Sequence, residues 1–231
     1  MTFNFGISND SAVRNTRQQL KPWGIYDVEF KGCEIREFDG KKDPSQHYKV
    51  LAINFESEDG SFSVNKFFPK EGDEVRRTTE GKTGTITFPS SFEILMATVK
   101  QTAQVLSPKG FEKMQAASSK FRSFDDVANA LIKITDPVKG TKTKIKLVGV
   151  NRDGKVVADV PRIVALNKQG EAFICDNYIG DKLFFSDYEE TQRNKYLSAA
   201  PTAVSEAKDE EFTQTQESDD SGFDLDDLAA L

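Results

Sequence analysis

The first third of the chain alternates apolar and polar residues with a period of two, which is typical of half-buried β-strands. Such alternation covers three segments, Ile25–Ile35, His47–Glu56 and Ser61–Phe68. A short polar turn ending at Gly60 joins the second segment to the third, and Gly32 interrupts the first where a bulge or tight bend would need a glycine. The pattern therefore predicts three consecutive antiparallel strands.

The spacing of apolar residues changes to about 3.6 after the third predicted strand. Phe92–Leu106 has the pattern of an amphipathic helix, and Ser90 with Glu93 forms a capping box before it. A shorter helix is expected to begin at Pro108, and a third to follow the N-cap residue Ser123. Alternation then returns, and the predicted further strands cover residues 141–150, 161–166, 171–175 and 182–185, with a brief earlier one at 83–88.

This order of elements predicts a mainly β or α+β fold. Three strands, a helical segment and further strands match the five-stranded OB barrel, in which a helix lies between strands three and four, although other α+β folds share the order. We expect a flexible arm over residues 1–20 and an OB-like domain over residues 21–197, with a helical insertion at about 90–135. Residues 198–231 are expected to form a disordered acidic tail, because they contain too few apolar residues to offset the loss of chain entropy.

Charge is divided unevenly along the chain. The formal net charge is −6, but residues 201–231 hold ten acids and one lysine and so carry −9, which leaves +3 on residues 1–200. At the end of the tail, acids alternate with large apolar side chains, which pure solubilisation would not require. The predicted partner-binding residues of the tail are Phe223, Asp224, Leu225, Asp226, Asp227, Leu228 and Leu231.

Residue types that carry catalysis or bind metals are scarce. His47 is the single histidine, so a histidine-rich metal site is excluded. Cys33 and Cys175 are too few for a disulfide framework, and each is expected to be a buried thiol in a strand. Gly81-Lys82-Thr83 ends like a phosphate-binding loop but lacks the glycine that such a loop needs five residues earlier. We therefore predict no enzyme activity, no catalytic residue, no metal and no cofactor.

The chain begins without a basic and apolar signal region, and its apolar runs are far shorter than the ~20 residues that span a bilayer. These features predict a cytoplasmic protein without a membrane partner. If the protein is encoded by a phage, the expected compartment is the cytoplasm of the host cell.

Two ingredients of nucleic-acid binding are present in the chain. Lys142, Lys144 and Lys146 recur at period two, which places three ammonium groups on one face of a strand, roughly 7 Å apart. That face is expected to contact phosphates, and an ordinary solvated strand face is the alternative. A second cationic cluster and two aromatic side chains for base stacking complete the predicted nucleic-acid-binding set: Arg76, Arg77, Lys82, Tyr48 and Phe67.

The stretch Leu147–Lys155, followed by Asp159-Val160-Pro161, resembles the strand–turn–Asp-Val-Pro segment of the T7-type phage proteins that bind single-stranded DNA. Tyr26–Ile35 and Tyr48–Pro69 are similar to single-stranded DNA-binding proteins of other tailed phages. The resemblance implies an OB fold, coating of DNA exposed at a replication fork, and recruitment of polymerase or helicase/primase by the tail. In contrast to that family, whose tail ends in an aromatic residue, this chain ends in Leu231.

The sequence therefore predicts a protein that binds and protects single-stranded DNA during phage DNA replication or recombination. Its tail is expected to recruit replication proteins and to compete with DNA for the basic groove. The alternative is a virion structural or scaffolding protein with an acidic assembly tail, which would self-associate without nucleic acid. A homodimer is left open by the sequence.

Overall fold

The computed structural model describes residues 18–40, 45–81, 84–152, 154–161 and 164–198. Within these residues an antiparallel sheet packs against helices on one of its faces, so the predicted α+β class is confirmed. The strands are β1 Gly24–Asp39, β2 His47–Ser57, β3 Gly60–Phe67, β4 Thr78–Gly81, β5 Gly84–Thr87, β6 Lys142–Arg152, β7 Lys155–Asp159, β8 Val164–Leu166 and β9 Ala172–Ile174. The helices are α1 Ser91–Leu106, α2 Pro108–Ala116, α3 Phe124–Thr135 and α4 Asp187–Ser198.

The main sheet has five strands in the order β3-β2-β1-β6-β7. The predicted meander and the helical insertion before β6 are both present, but the sheet does not close into a barrel. β3 and β7 form its two edges and do not pair with each other. Residues 178–180 bond to the first half of β6 through Lys146 N to Tyr178 O (2.8 Å) and Gly180 N to Lys144 O (3.0 Å). This segment and β7, which pairs only with residues 148–152, thus share one edge of β6.

A bulge in β1 changes which side chains face the core. The register with β2 shifts between Phe30 and Gly32, and Gly32 has φ 122°, a conformation that favours glycine. Before the bulge Val28 and Phe30 are buried, and after it Cys33 is. The extra residue therefore exchanges the two faces of β1 halfway along its length. We call the face opposite α1 and α3 the outer face.

The helices α1 and α3 cover the other face and complete one core. Leu95, Val99 and Ala103 of α1 and Leu131 of α3 are almost fully buried against the sheet. Both predicted starts are confirmed, because the Ser90 side chain caps α1 and the Ser123 side chain caps α3. Burial of this apolar surface is the main force that holds the helical insertion on the sheet.

The strand predicted at residues 182–185 is wrong. These residues form a loop that leads into α4, which lacks an apolar stripe and therefore gave no periodic signal. The helix is instead started by a polar cap, in which Ser186 N donates to Glu189 Oε2 (2.8 Å) and Glu189 N donates to Ser186 Oγ (3.3 Å). Across the described ranges, no helix is both long and apolar enough to cross a membrane.

The two cysteines lie in different surroundings. Cys33 is buried in β1 as predicted, and burial raises the pKa of its thiol to about 11. Cys175 is exposed in the residue after β9, so the prediction of a second buried thiol is wrong. The period-two pattern at 171–175 continued one residue beyond the short strand.

Candidate nucleic-acid interface

The three lysines of β6 all lie on the outer face, but each stands opposite a residue of β1. In the register of the two strands, Lys142 pairs with Glu29 and Lys144 pairs with Asp27. The Lys144 Nζ atom is 3.6 Å from Asp27 Oδ1. Cross-strand pairs of opposite charge are a common way to stabilise a sheet, and they reduce the positive potential that a phosphate would meet.

Lys146 is completely buried, so the prediction of three exposed ammonium groups is wrong at this position. Its Nζ atom bonds to Asp176, to Glu189 Oε2 (2.9 Å) and to the carbonyl oxygen of Phe184 (2.9 Å), and it lies 5.7 Å from the centre of the Phe185 ring. Alternation along β6 assigned the correct face. What it did not reveal is that α4 and the preceding loop cover this end of the face.

The other end of the outer face carries three aromatic rings, which we call the aromatic corner: Phe38, Tyr48 and Phe67. The centre of the Phe38 ring is 5.7 Å from that of Tyr48, with the planes 30° apart. The Phe67 ring stands edge-on to both, at 6.1 Å from Phe38 and 6.2 Å from Tyr48. Phe38 is 37% exposed and the other two rings are half-buried, so the cluster presents ring surface to solvent.

The sequence pointed to Tyr48 and Phe67 but not to Phe38. The first predicted strand ended at Ile35, whereas β1 continues to Asp39. Phe38 is directly opposite Tyr48 in the register, and it reaches the outer face because the bulge at Gly32 has exchanged the faces. Glu34, Arg36 and Phe38 follow Gly32 at intervals of two residues. That spacing could have shown that Phe38 shares a face with the two charged residues before it.

A groove of about 450 Å³ lies at the aromatic corner, and charged side chains form its rim. The Lys70 Nζ atom lies 5.0 Å from the centre of the Tyr48 ring. His47 Nδ1 is 2.6 Å from Asp39 Oδ1. Lys49 pairs with Asp125 of α3 (3.0 Å) and with Glu37 (3.3 Å), and these hydrogen bonds raise the pKa of its ammonium group. The groove thus combines aromatic surface with cations and acids at its edge.

In the second predicted cationic cluster, Arg76 is already bound to a carboxylate. Arg76 binds both carboxylate oxygens of Glu93, with Nε 3.2 and 3.0 Å from them, and this pairing lowers the pKa of Glu93 to about 2. Because Glu93 also closes the capping box of α1, Arg76 helps to attach the chain before β4 to that helix. Arg77 is exposed, and Lys82 falls outside the described residues.

The predicted tail residues, Phe223 to Leu231, fall outside the described residues as well. The chain matches no model of a known protein family, and neither a curated protein nor a solved structure matches it. The resemblance to T7-type proteins therefore stays a prediction, and a function has to be argued from the side chains themselves.

Proposed function

We propose that this protein binds and protects single-stranded DNA at the aromatic corner, during phage DNA replication or recombination. The observation that carries the proposal is the cluster of three partly exposed rings, Phe38, Tyr48 and Phe67, on the outer face of β1, β2 and β3. Single exposed apolar side chains are common on protein surfaces, but a contiguous cluster of them is typical of a binding site. Neighbouring rings on a sheet are a common platform for the unstacked bases of a single strand.

The strand order adds support at the level of architecture. The order β3-β2-β1-β6-β7, with helices inserted before β6, is related to that of an OB fold opened between its edge strands. In OB folds the face of strands two and three is the usual nucleic-acid surface, and two of the three rings lie on β2 and β3. We infer an OB-like ancestry from this correspondence.

The acidic tail is the second part of the proposal. Residues 201–231 carry −9, and carboxylates compete with phosphates for the same cations. In the proposed mechanism the tail lowers the affinity of the free protein for DNA. Once DNA displaces the tail, its apolar residues become available to polymerase or helicase/primase.

The decisive experiment removes the rings together. In the full-length variant Phe38→Ala/Tyr48→Ala/Phe67→Ala, we expect at least a roughly 100-fold weaker affinity for fluorescein-labelled oligo(dT), measured by anisotropy, because each stacked base contributes about 1–3 kcal/mol. Phe173→Ala is the matched control, since Phe173 is a 46% exposed aromatic residue of β9 outside the corner. A folded triple variant, verified by circular dichroism, that binds as tightly as this control would refute the proposal.

Removal of residues 201–231 tests the tail. We expect the truncated protein to bind oligo(dT) more tightly than the full chain, with the difference shrinking as salt rises. A full-length variant with the ten tail acids replaced by their amides separates charge from bulk, and it should behave like the truncated form. Self-association without DNA, together with no gain in affinity on truncation, would favour a virion scaffolding role instead.

A further inference from the structure

The helical insertion carries exposed cations that lie outside the aromatic corner. The segment from Pro108 to Arg122 contains four cations and a single acid, Glu112. All four cations are exposed, and we call this surface the basic shoulder: Lys109, Lys113, Lys120 and Arg122. Lys109 and Lys113 are four residues apart in α2 and therefore lie on the same side of the helix.

The basic shoulder differs from Lys144 and Lys146 of β6 in how its charges are balanced. Within the described part of the chain, no ion pair joins Lys109, Lys113 or Lys120 to a carboxylate, whereas Lys144 pairs with Asp27 and Lys146 is buried between two acids. Arg122 bonds through its guanidinium to the carbonyl oxygen of Ser119 (3.5 Å), and its backbone N–H donates to Asp126 Oδ2 (2.7 Å), a carboxylate whose pKa Arg122 helps to lower. The three lysines of the shoulder are consequently more open to an anion than Lys144 or Lys146.

The shoulder begins beside the aromatic corner. Phe124, two residues after Arg122, packs its ring 4.8 Å from that of Phe68, which lines the groove. The next residue, Asp125, bonds to Lys49, another residue of the groove. Since consecutive Cα atoms are about 3.8 Å apart, the backbone of Arg122 lies within roughly 8 Å of Phe124. A strand that passes from the outer face across the groove toward α3 would therefore come close to Arg122.

We propose that the basic shoulder binds the sugar–phosphate backbone of the single strand whose bases stack at the aromatic corner. This inference rests on the proposed function and gives the helical insertion its role in it. The rings hold bases and the shoulder neutralises phosphates, so one strand is contacted by two elements of different chemistry. Of the β6 lysines, Lys146 is left with a structural role and the charge of Lys144 is offset by Asp27.

The test is the salt dependence of oligo(dT) binding in the full chain. The shoulder variant is Lys109→Gln/Lys113→Gln/Lys120→Gln/Arg122→Gln. Its matched control, Lys133→Gln/Lys155→Gln/Lys168→Gln/Lys182→Gln, removes the same net charge at four other exposed positions. We expect the shoulder variant to bind roughly tenfold or more weakly at low salt. The slope of log affinity against log salt should fall by about 0.7 for each phosphate that the variant no longer neutralises, and by much less in the control.

Three outcomes decide between the explanations. If the folded shoulder variant has the same slope and affinity as its control, the inference is wrong. Weak binding by the aromatic triple variant would in that case still support the proposed function. If the triple variant binds normally, the proposed function itself fails. The shoulder substitutions can also be combined with removal of residues 201–231. If that double variant binds DNA as tightly as the tail-deleted protein with an intact shoulder, the ligand of the shoulder is the acidic tail and the inference is wrong.

Discussion

The two ends of the outer sheet face are built from the same alternating pattern and yet offer opposite surfaces. At one end Lys146 is fully buried beneath α4, with Asp176 and Glu189 bonded to its ammonium group. At the other end Phe38, the most exposed ring of the aromatic corner, is 37% exposed. At the first end a charged residue is buried although a binding surface was predicted there. At the second end an apolar residue is exposed to solvent. The difference arises from what covers each end.

The covered end shows how a lysine becomes a structural residue. An unpaired ammonium group would be very unfavourable away from water, and here two carboxylates and a carbonyl oxygen accept its three protons. The Phe185 ring adds a cation–π contact at 5.7 Å. This cluster attaches a helix that has no apolar stripe of its own, so the stability of α4 depends on charge.

The largest effect that separates the two ends is expected for Lys146→Ala. The substitution leaves Asp176 and Glu189 without their shared cation, and we expect the free energy of unfolding in urea to fall by about 3–5 kcal/mol. Lys142→Ala, which removes an exposed lysine of the same strand, is the control and should change it by less than about 0.5 kcal/mol. Equal effects of the two substitutions would show that the buried cluster does not hold α4.

Tyr48→Ala at the other end is expected to lower the affinity for DNA rather than the stability of the protein. Removing this half-buried ring is expected to weaken binding of oligo(dT) about tenfold, which corresponds to the 1–3 kcal/mol of one stacked base, while stability changes much less than in Lys146→Ala. Anisotropy titration and urea unfolding on the same preparation measure both quantities. The comparison breaks down if Tyr48→Ala lowers stability and leaves binding unchanged.

A smaller, pH-dependent effect is expected in the first turn of α1, for Glu93→Gln. The pairing with Arg76 holds the pKa of Glu93 at about 2, below its usual value of 4.5. Its contribution to stability is therefore complete above pH 4.5 and is lost as the pH falls toward 2. We expect the variant to unfold at a lower urea concentration than the wild type at pH 6, and the gap to narrow at pH 3. A gap that stays constant between these pH values would contradict a role for the charge.

The smallest effect is expected for Lys144→Gln. Its pairing with Asp27 is exposed to solvent and 3.6 Å long, so the free energy of unfolding should change by less than about 0.5 kcal/mol. Oligo(dT) affinity should be nearly unchanged, because Asp27 already offsets the charge. A clear loss of affinity would show that β6 is part of the nucleic-acid surface. The binding surface would then not be confined to the aromatic end of the outer face.

Local signals in the sequence predicted much of the fold. The capping residues Ser90 and Ser123, and the proline at the start of α2, each act on neighbouring residues and were interpreted correctly. The open state of the sheet was not predictable from local signals. The segment at residues 178–180 that bonds to β6 comes from far along the chain. The helix α4 was missed for a related reason, since its anchor Lys146 lies about forty residues away.

The candidate site was predicted less completely than the fold. Alternation shows which face a side chain is on, but it carries no information about what covers that face, and so the prediction for Lys146 was wrong. Phe38 was missed because its face depends on a bulge six residues earlier. Tyr48 and Phe67 were found because the alternation of β2 and the end of β3 are regular.

The bulge at Gly32 also decides which kind of mutation threatens the corner most. If one residue were deleted there, the second half of β1 would turn over, and Cys33 and Ile35 would face outward while Phe38 turned inward. No single substitution on the outer face moves so many side chains at once. A substitution on the outer face therefore changes one side chain, whereas a change in chain length between Phe30 and Cys33 would displace the whole contribution of β1 to the corner.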